Sequence, residues 1–224
     1  MDIVSLIKDY IIFKPKTKEE LQEAVDLWCE NRDEALNRYG NISLWDTSLI
    51  TDMSYLFGFT KGYLYNKDNF NENDYEEYLN ALSLNFKKHF NDDISNWNVS
   101  SVTNMSYMFY QAELFNQPLD SWNVSSVINM ECMFCETVSF NQPLNSWDVS
   151  SVIYMGGMFA EAESFNQPLE SWDVSSVTDM SSMFNKAIKF NQPLNSWNVS
   201  SVTDMEGMFL NARSFDQSLD SWHN

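Results

Sequence analysis

The chain has 224 residues, enough for one large domain or a modest array of small units with caps. Apolar residues make up 44% and aromatics 15%, which is ample for a buried core and excludes bulk disorder. A formal net charge of -19 excludes nucleic acid and anionic membranes as partners, because both repel a strongly negative surface, and leaves basic proteins and cations open.

The amino-terminal stretch from Met1 to Phe13 carries Ile3, Val4, Leu6, Ile7, Ile11 and Ile12, interrupted by Lys8 and Asp9. Asp2 stands where a secretory signal would be basic, and the run is far shorter than the ~20 apolar residues that cross a bilayer. A docked amphipathic segment is expected, with no membrane insertion, in a protein that is intracellular or virion-associated rather than classically secreted. Residues 17–39 predict an amphipathic helix. Thr17-Lys18-Glu19-Glu20 forms a capping box, Leu21, Val25, Trp28, Ala35, Leu36 and Tyr39 share a face, and Gly40 stops it. Residues 1–44 are therefore read as a helical cap over one end of the repeats that follow, and residues 45–57 as a diverged first coil.

Residues 58–89 are rich in aromatics, among them Tyr63, Tyr65 and Phe70, and are either a degenerate coil or an insertion. A helix over 73–88 is expected there, capped by Asn73 or Asp74. Insertions in repeat proteins tend to fall on a functional face, so Tyr63, Tyr65 and Phe70 are candidate binding residues.

From residue 90 to 224 the chain repeats. Tryptophans stand at 97, 122, 147, 172, 197 and 222, a spacing of 25 residues without drift. The unit reads Phe-Asn-Gln-Pro-Leu-(Asn/Asp/Glu)-Ser-Trp-(Asn/Asp)-Val-Ser-Ser-Val-x-x-Met-x-x-Met-Phe-x-x-Ala-x-x, giving five full coils and a partial sixth from Phe215. A strict period of this length marks stacked units, none of which buries its apolar face alone. Val-Ser-Ser-Val-x-x-Met is β-rich, Met-x-x-Met-Phe has helical spacing, and Pro118, Pro143, Pro168 and Pro193 fix turns. The expected fold is a repeat solenoid, leucine-rich-repeat-like, with short parallel β-strands and a helical turn per 25-residue coil, stacked ~4.8 Å apart. The recurring Asn (116, 141, 166, 191) and Gln (117, 142, 167, 192, 217) are expected to stack into ladders that satisfy each other and the neighbouring backbone.

The unit resembles the repeat of the BspA-like leucine-rich-repeat group, a domain of unknown function whose coils read Phe-Asn-Gln-x-Leu-x-x-Trp-Asp-Val-Ser-x-Val-Thr-x-Met. Phe190 through Met205 matches almost throughout, residues 90–224 match closely, and Trp45 through Phe57 matches weakly. Such repeats occur in bacterial surface and adhesion proteins and in uncharacterised proteins of microbial eukaryotes and large DNA viruses. The resemblance implies a solenoid with a binding role and carries over no catalytic residue.

Catalytic chemistry finds little support. Cys132-Met-Phe-Cys135 looks like a metal or redox motif. In the repeat, however, Cys132 aligns with Tyr107, Gly157, Ser182 and Gly207, and Cys135 with Tyr110, Ala160, Asn185 and Leu210. No further ligand cluster completes a zinc site, so neither a metal nor another cofactor is expected. His89 and His223 have no partnered nucleophile. Asp148 stacks with Asp173, and Asp179 with Asp204, which are the carboxylate pairs a polysaccharide-degrading enzyme would need. Columns of this kind also arise by duplication, so the enzyme reading ranks last. From Phe90 onward the basic side chains are Lys186, Lys189 and Arg213 against acids in every full coil.

The expected function is a non-catalytic protein-interaction or adhesion scaffold for a protein partner of basic character. Asp148, Asp173, Asp179 and Asp204 are the candidate contacts on the coils. The alternative is a self-assembling structural component, a homo-oligomer formed through the uncapped carboxyl-terminal coil at Leu219 and Trp222.

Overall fold

The structure, a computed structural model, describes residues 12–59 and 86–222. The amphipathic segment expected over Met1 to Phe13 falls almost wholly outside these residues. Helix α1, Lys18–Glu30, begins at Thr17, whose hydroxyl oxygen accepts the Glu20 N–H at 3.3 Å. The Glu20 carboxylate folds back to accept the Lys16 N–H at 2.7 Å, one residue earlier than in a standard capping box. Leu21, Ala24, Val25 and Trp28 form its buried face.

The single helix expected over 17–39 is two. Asn31 leaves helical geometry, and its side chain accepts the Glu34 N–H to start α2, Arg32–Tyr39. The break turns the following face: Ala35 is buried, whereas Leu36, expected inside, is 41% exposed. Gly40 ends α2 at φ 72°, where a side chain would be strained.

Helix α1 lies over the unit at 45–57. Gln22 Nε2 donates to the Leu56 carbonyl at 3.0 Å, the Lys18 ammonium meets Asp52 at 3.0 Å, and Trp28 packs edge-on against Trp45. That unit stacks directly on the one at 97–109, through Trp45 on Trp97, Tyr55 on Tyr107 and Phe57 on Phe109. A parallel bridge joins Asp52 to Asn104, so no unit stands between the two. The helix expected over 73–88 falls mainly on residues 60–85, outside the described residues; Phe86–His89 is a short 3-10 helix.

Each later unit is a chain of tight turns. Trp122 N–H donates to Leu119 O at 3.0 Å, Val127 N–H to Val124 O at 2.9 Å, and Met133 N–H to Met130 O at 3.2 Å. Apolar residues three apart are thus the first and fourth residues of successive turns. The turns aim them inward and leave the polar pair between them outside, Asp120-Ser121 or Ser125-Ser126. The interior is continuous. Phe109, Phe134, Phe159, Phe184 and Phe209 stack in near-parallel rings, 5.5 Å apart at Phe109–Phe134. A second Phe column and a Trp column run beside it. Each buried ring contributes ~1.5–3 kcal/mol, and most of that comes from neighbouring units.

Hydrogen bonds lock the register. Trp122, Trp147, Trp172 and Trp197 each donate their indole N–H to a carbonyl of the preceding unit, at 2.9–3.2 Å. Asn116 Oδ1 accepts both the Asn141 N–H and Gln142 Nε2, and the same pair of bonds recurs at Asn141 and Asn166. The polar ladder read from the repeat is therefore built from an Asn acceptor and a Gln donor one unit on.

The expected solenoid of parallel strands, with a helical turn per coil, is corrected. Among the described residues there is no β-strand, and the only α-helices are α1 and α2. Neighbouring units meet at isolated parallel bridges: Asn104–Asn129, Asn129–Tyr154, Tyr154–Asp179 and Asp179–Asp204. The reason lies in how the backbone donors are divided. The N–H groups of Met105, Tyr107, Phe109 and Gln111 donate to the next unit, while those of Met108, Tyr110 and Ala112 close turns within their own. Left-handed residues recur at two places per unit, Tyr107 (φ 57°) and Gln111 (φ 59°) and their equivalents. They curl the segment too tightly for a strand and interrupt any helix.

Candidate functional site

The acidic columns start as turn chemistry. Asp148 Oδ1 accepts the Ser150 N–H at 3.1 Å and the Ser150 hydroxyl at 2.6 Å, and Asp173 Oδ1 accepts the Ser175 N–H at 3.0 Å. Asn98, Asn123 and Asn198 do the same at their positions. A second column repeats the motif: Asp179 Oδ1 takes the Ser181 N–H at 2.8 Å and Asp204 Oδ1 the Glu206 N–H at 2.9 Å, as Asn129 and Asn104 do two and three units before Asp179. Asn and Asp serve equally as such caps, so the fold needs the oxygen and not the charge.

The second carboxylate oxygen of each is left for solvent or a partner. Asp148, Asp173 and Asp204 are exposed and Asp179 is half-buried. The Ser150 hydroxyl, then the Ser150 N–H, holds the Asp148 carboxyl below its ordinary range, and Ser175 does the same for Asp173. Asp148 and Asp173 are therefore ionised at neutral pH.

Most of the paired cations are placed elsewhere. Lys14–Asp46, Lys18–Asp52, Arg32–Asp92, Arg38–Glu23 and Lys87–Asp26 all lie at the helices or where these meet the first units. Among the described residues Lys186–Glu161, at 2.6 Å, is the one ion pair within the later units. The negative charge of the repeat face is thus largely uncompensated.

Of the other residues singled out in the sequence, Tyr63, Tyr65 and Phe70 lie outside the described residues. Leu219 and Trp222 are half-buried in the last described unit. Trp222 stacks on Trp197 and donates its indole N–H to Leu194 O at 3.0 Å. In that unit the N–H groups of Met205, Gly207, Phe209 and Asn211 have no following unit among the described residues to receive them. No group of three His, Cys, Asp or Glu among the described residues is arranged to hold a metal ion, and no helix there is long and apolar enough to cross a membrane.

Alignment of the repeats missed one cluster. Cys132 and Cys135 close a turn, Cys135 N–H to Cys132 O at 3.1 Å, and the Tyr107 hydroxyl donates to Glu131 at 2.8 Å beside them. The Cys-x-x-Cys spacing was the signal. Neither position repeats as sulfur, which hides the pair in the alignment.

The family described as "Mycoplasma protein of unknown function, DUF285" matches residues 29–146, 77–167 and 144–224. The chain belongs to this family. The matches span both the diverged first unit and the regular ones, and the family description carries no activity. No curated protein and no solved structure matches the chain.

Proposed function

We propose that this DUF285 member is a non-catalytic interaction or adhesion module whose repeat face docks a basic protein. The observation carrying this reading is the division of charge: five ion pairs gather at the helices and first units, while Lys186–Glu161 is the one pair among the later units. An acidic face on a rigid stack steers a cationic partner and repels polyanions. The likeness of the unit to BspA-like repeats of bacterial surface proteins supports the same reading.

The test is capture from cell extract at low and high salt, with mass-spectrometric identification. A basic protein held at low salt and released at high salt is the expected result. Capture only of acidic or neutral proteins, insensitive to salt, would overturn it.

A second reading, self-association through the last described unit, is favoured by its half-buried apolar side chains Phe215, Leu219 and Trp222. A molar mass from light scattering equal to one chain at every concentration sets that reading aside.

A further inference from the structure

The sulfur at one corner of the stack is arranged for chemistry that the acidic face does not use. Cys132 and Cys135 are the first and fourth residues of a turn closed by the 3.1 Å bond from Cys135 N–H to Cys132 O. Such a turn holds its end Cα atoms within ~7 Å, overlapping the ~4.4–6.8 Å that a disulfide spans. Both residues are free thiols and half-buried, so solvent reaches them. The neighbouring unit leaves room: a Cβ on Gly157 would lie 2.7 Å from Cys132 Sγ, so only glycine accommodates the sulfur there. On the opposite side sits the Tyr107 hydroxyl, bonded to Glu131.

The two thiols are not equivalent. The Cys135 S–H beside it holds the Cys132 thiol below its ordinary value. The same pairing, then burial, pushes the Cys135 thiol up. Cys132 is thus the more acidic thiol of the two, and the one better suited to attack as a thiolate.

We propose that Cys132 and Cys135 form a redox-active dithiol that exchanges with low-molecular-weight aliphatic disulfides, closing reversibly to an intrachain disulfide. Cys132 gives its proton to solvent, and the thiolate so formed attacks one sulfur of RS–SR. That S–S bond breaks, and RS⁻ departs and takes up a proton, leaving Cys132–S–S–R. Cys132 no longer carries charge, so what had held the proton on Cys135 is removed. Cys135 releases that proton to solvent and attacks Cys132 Sγ, expelling the second RS⁻, which is protonated in turn. One dithiol and one RS–SR give one intrachain disulfide and two RSH, with two electrons passed to the reagent.

The experiment incubates the full chain with excess oxidised glutathione, quenches with acid, alkylates in denaturant and maps the peptides. The expected product has lost two hydrogens, has a Cys132–Cys135 bond and keeps Cys29 alkylatable, since burial pushes the Cys29 thiol up to about 12. Two variants fit their sites by precedent in this chain: Cys135→Ala matches Ala160 and Cys132→Ser matches Ser182. Cys135→Ala stops at a glutathione adduct on Cys132. Cys132→Ser forms no adduct on Cys135 in the same time, with circular dichroism confirming that both remain folded. A wild-type chain that accumulates stable glutathione adducts without the intrachain bond would overturn the proposal, as would faster modification of Cys135 than of Cys132.

Discussion

At the scale of single residues, two positions in each unit carry most of the backbone logic. The residue two before the central Phe is left-handed in every described unit, filled by Tyr55, Tyr107, Cys132, Gly157, Ser182 and Gly207. A side chain there costs ~1–2 kcal/mol relative to glycine, which offsets part of glycine's own entropic cost. Ser182→Gly is therefore expected to stabilise by about 1 kcal/mol net of that cost, read as a raised thermal midpoint. Gly157→Ala should lower it, because the new Cβ meets both strain and Cys132 Sγ.

The Asn of the ladder is the other such position. Asn141→Ala removes the acceptor for Asn166 N–H and Gln167 Nε2, leaving a backbone donor unmet at a cost of about 1–3 kcal/mol. Denaturant unfolding checks it, and a loss below a few tenths would show the ladder to be ornamental. The Asn ladder was legible in the sequence because an amide repeated at a fixed offset has few other uses. The left-handed corner was not, because Tyr, Cys and Ser occupy it as well as Gly and hide the conformation they share.

Among the elements, the boundary between α1 and α2 shows where periodicity misleads. The apolar face of Leu21, Val25 and Trp28 resumes in helical phase at Ala35 and Tyr39 after the polar run over 30–34, yet Asn31 caps a new helix and swings Leu36 outward. An Asn side chain competing for backbone amides outweighs a stripe that the polar run has already interrupted. Asn31→Ala should cost about 1 kcal/mol, because it deletes the cap on Glu34 N–H without lengthening the buried face.

Ahead of α1, the Lys14 ammonium, and then the Ser48 hydroxyl and N–H, hold the Asp46 carboxyl at about 2 against an ordinary 3.8. A depressed carboxyl stabilises the fold above its unfolded value and loses that contribution as pH falls through the folded one. The tie between residue 14 and the first unit should thus weaken from about pH 3.8 down through about 2. An NMR titration should place the Asp46 midpoint lowest in this region, and Lys14→Gln should raise it toward the ordinary value. An unchanged midpoint in that variant would reassign the shift to Ser48.

For the molecule as a whole, the period of 25 makes the stacking legible, but the letters that suggest strand and helix form turns. Val-Ser-Ser-Val and Met-x-x-Met place apolar residues three apart. That spacing suits the ends of a tight turn, and neither a strand's alternation nor a helix's face fits it throughout. The equivalence of Asp148 with Asp173, and of Asp179 with Asp204, was legible from the period, but their role as caps emerges only from the hydrogen bonds they accept.

Because Asn fills the same caps elsewhere in this chain, those four charges can be removed with the fold kept. The variant with Asn at 148, 173, 179 and 204 should unfold at the same or a higher temperature than the wild type at low ionic strength, since self-repulsion falls, and the gap should close with salt. A large loss of stability at all salt concentrations would mean that the carboxylates, and not merely their oxygens, hold the turns.

The same variant gives the most direct test of the binding account. The measurement is its affinity, beside that of the wild type, for the basic protein captured by the wild-type chain, at low and high salt. The account predicts binding weaker by about tenfold or more at low salt, four rim charges each contributing up to ~1 kcal/mol, with the two affinities converging at high salt. Equal affinities at both salt concentrations, with the stack intact by circular dichroism, would contradict the claim that the acidic repeat face is where the partner docks.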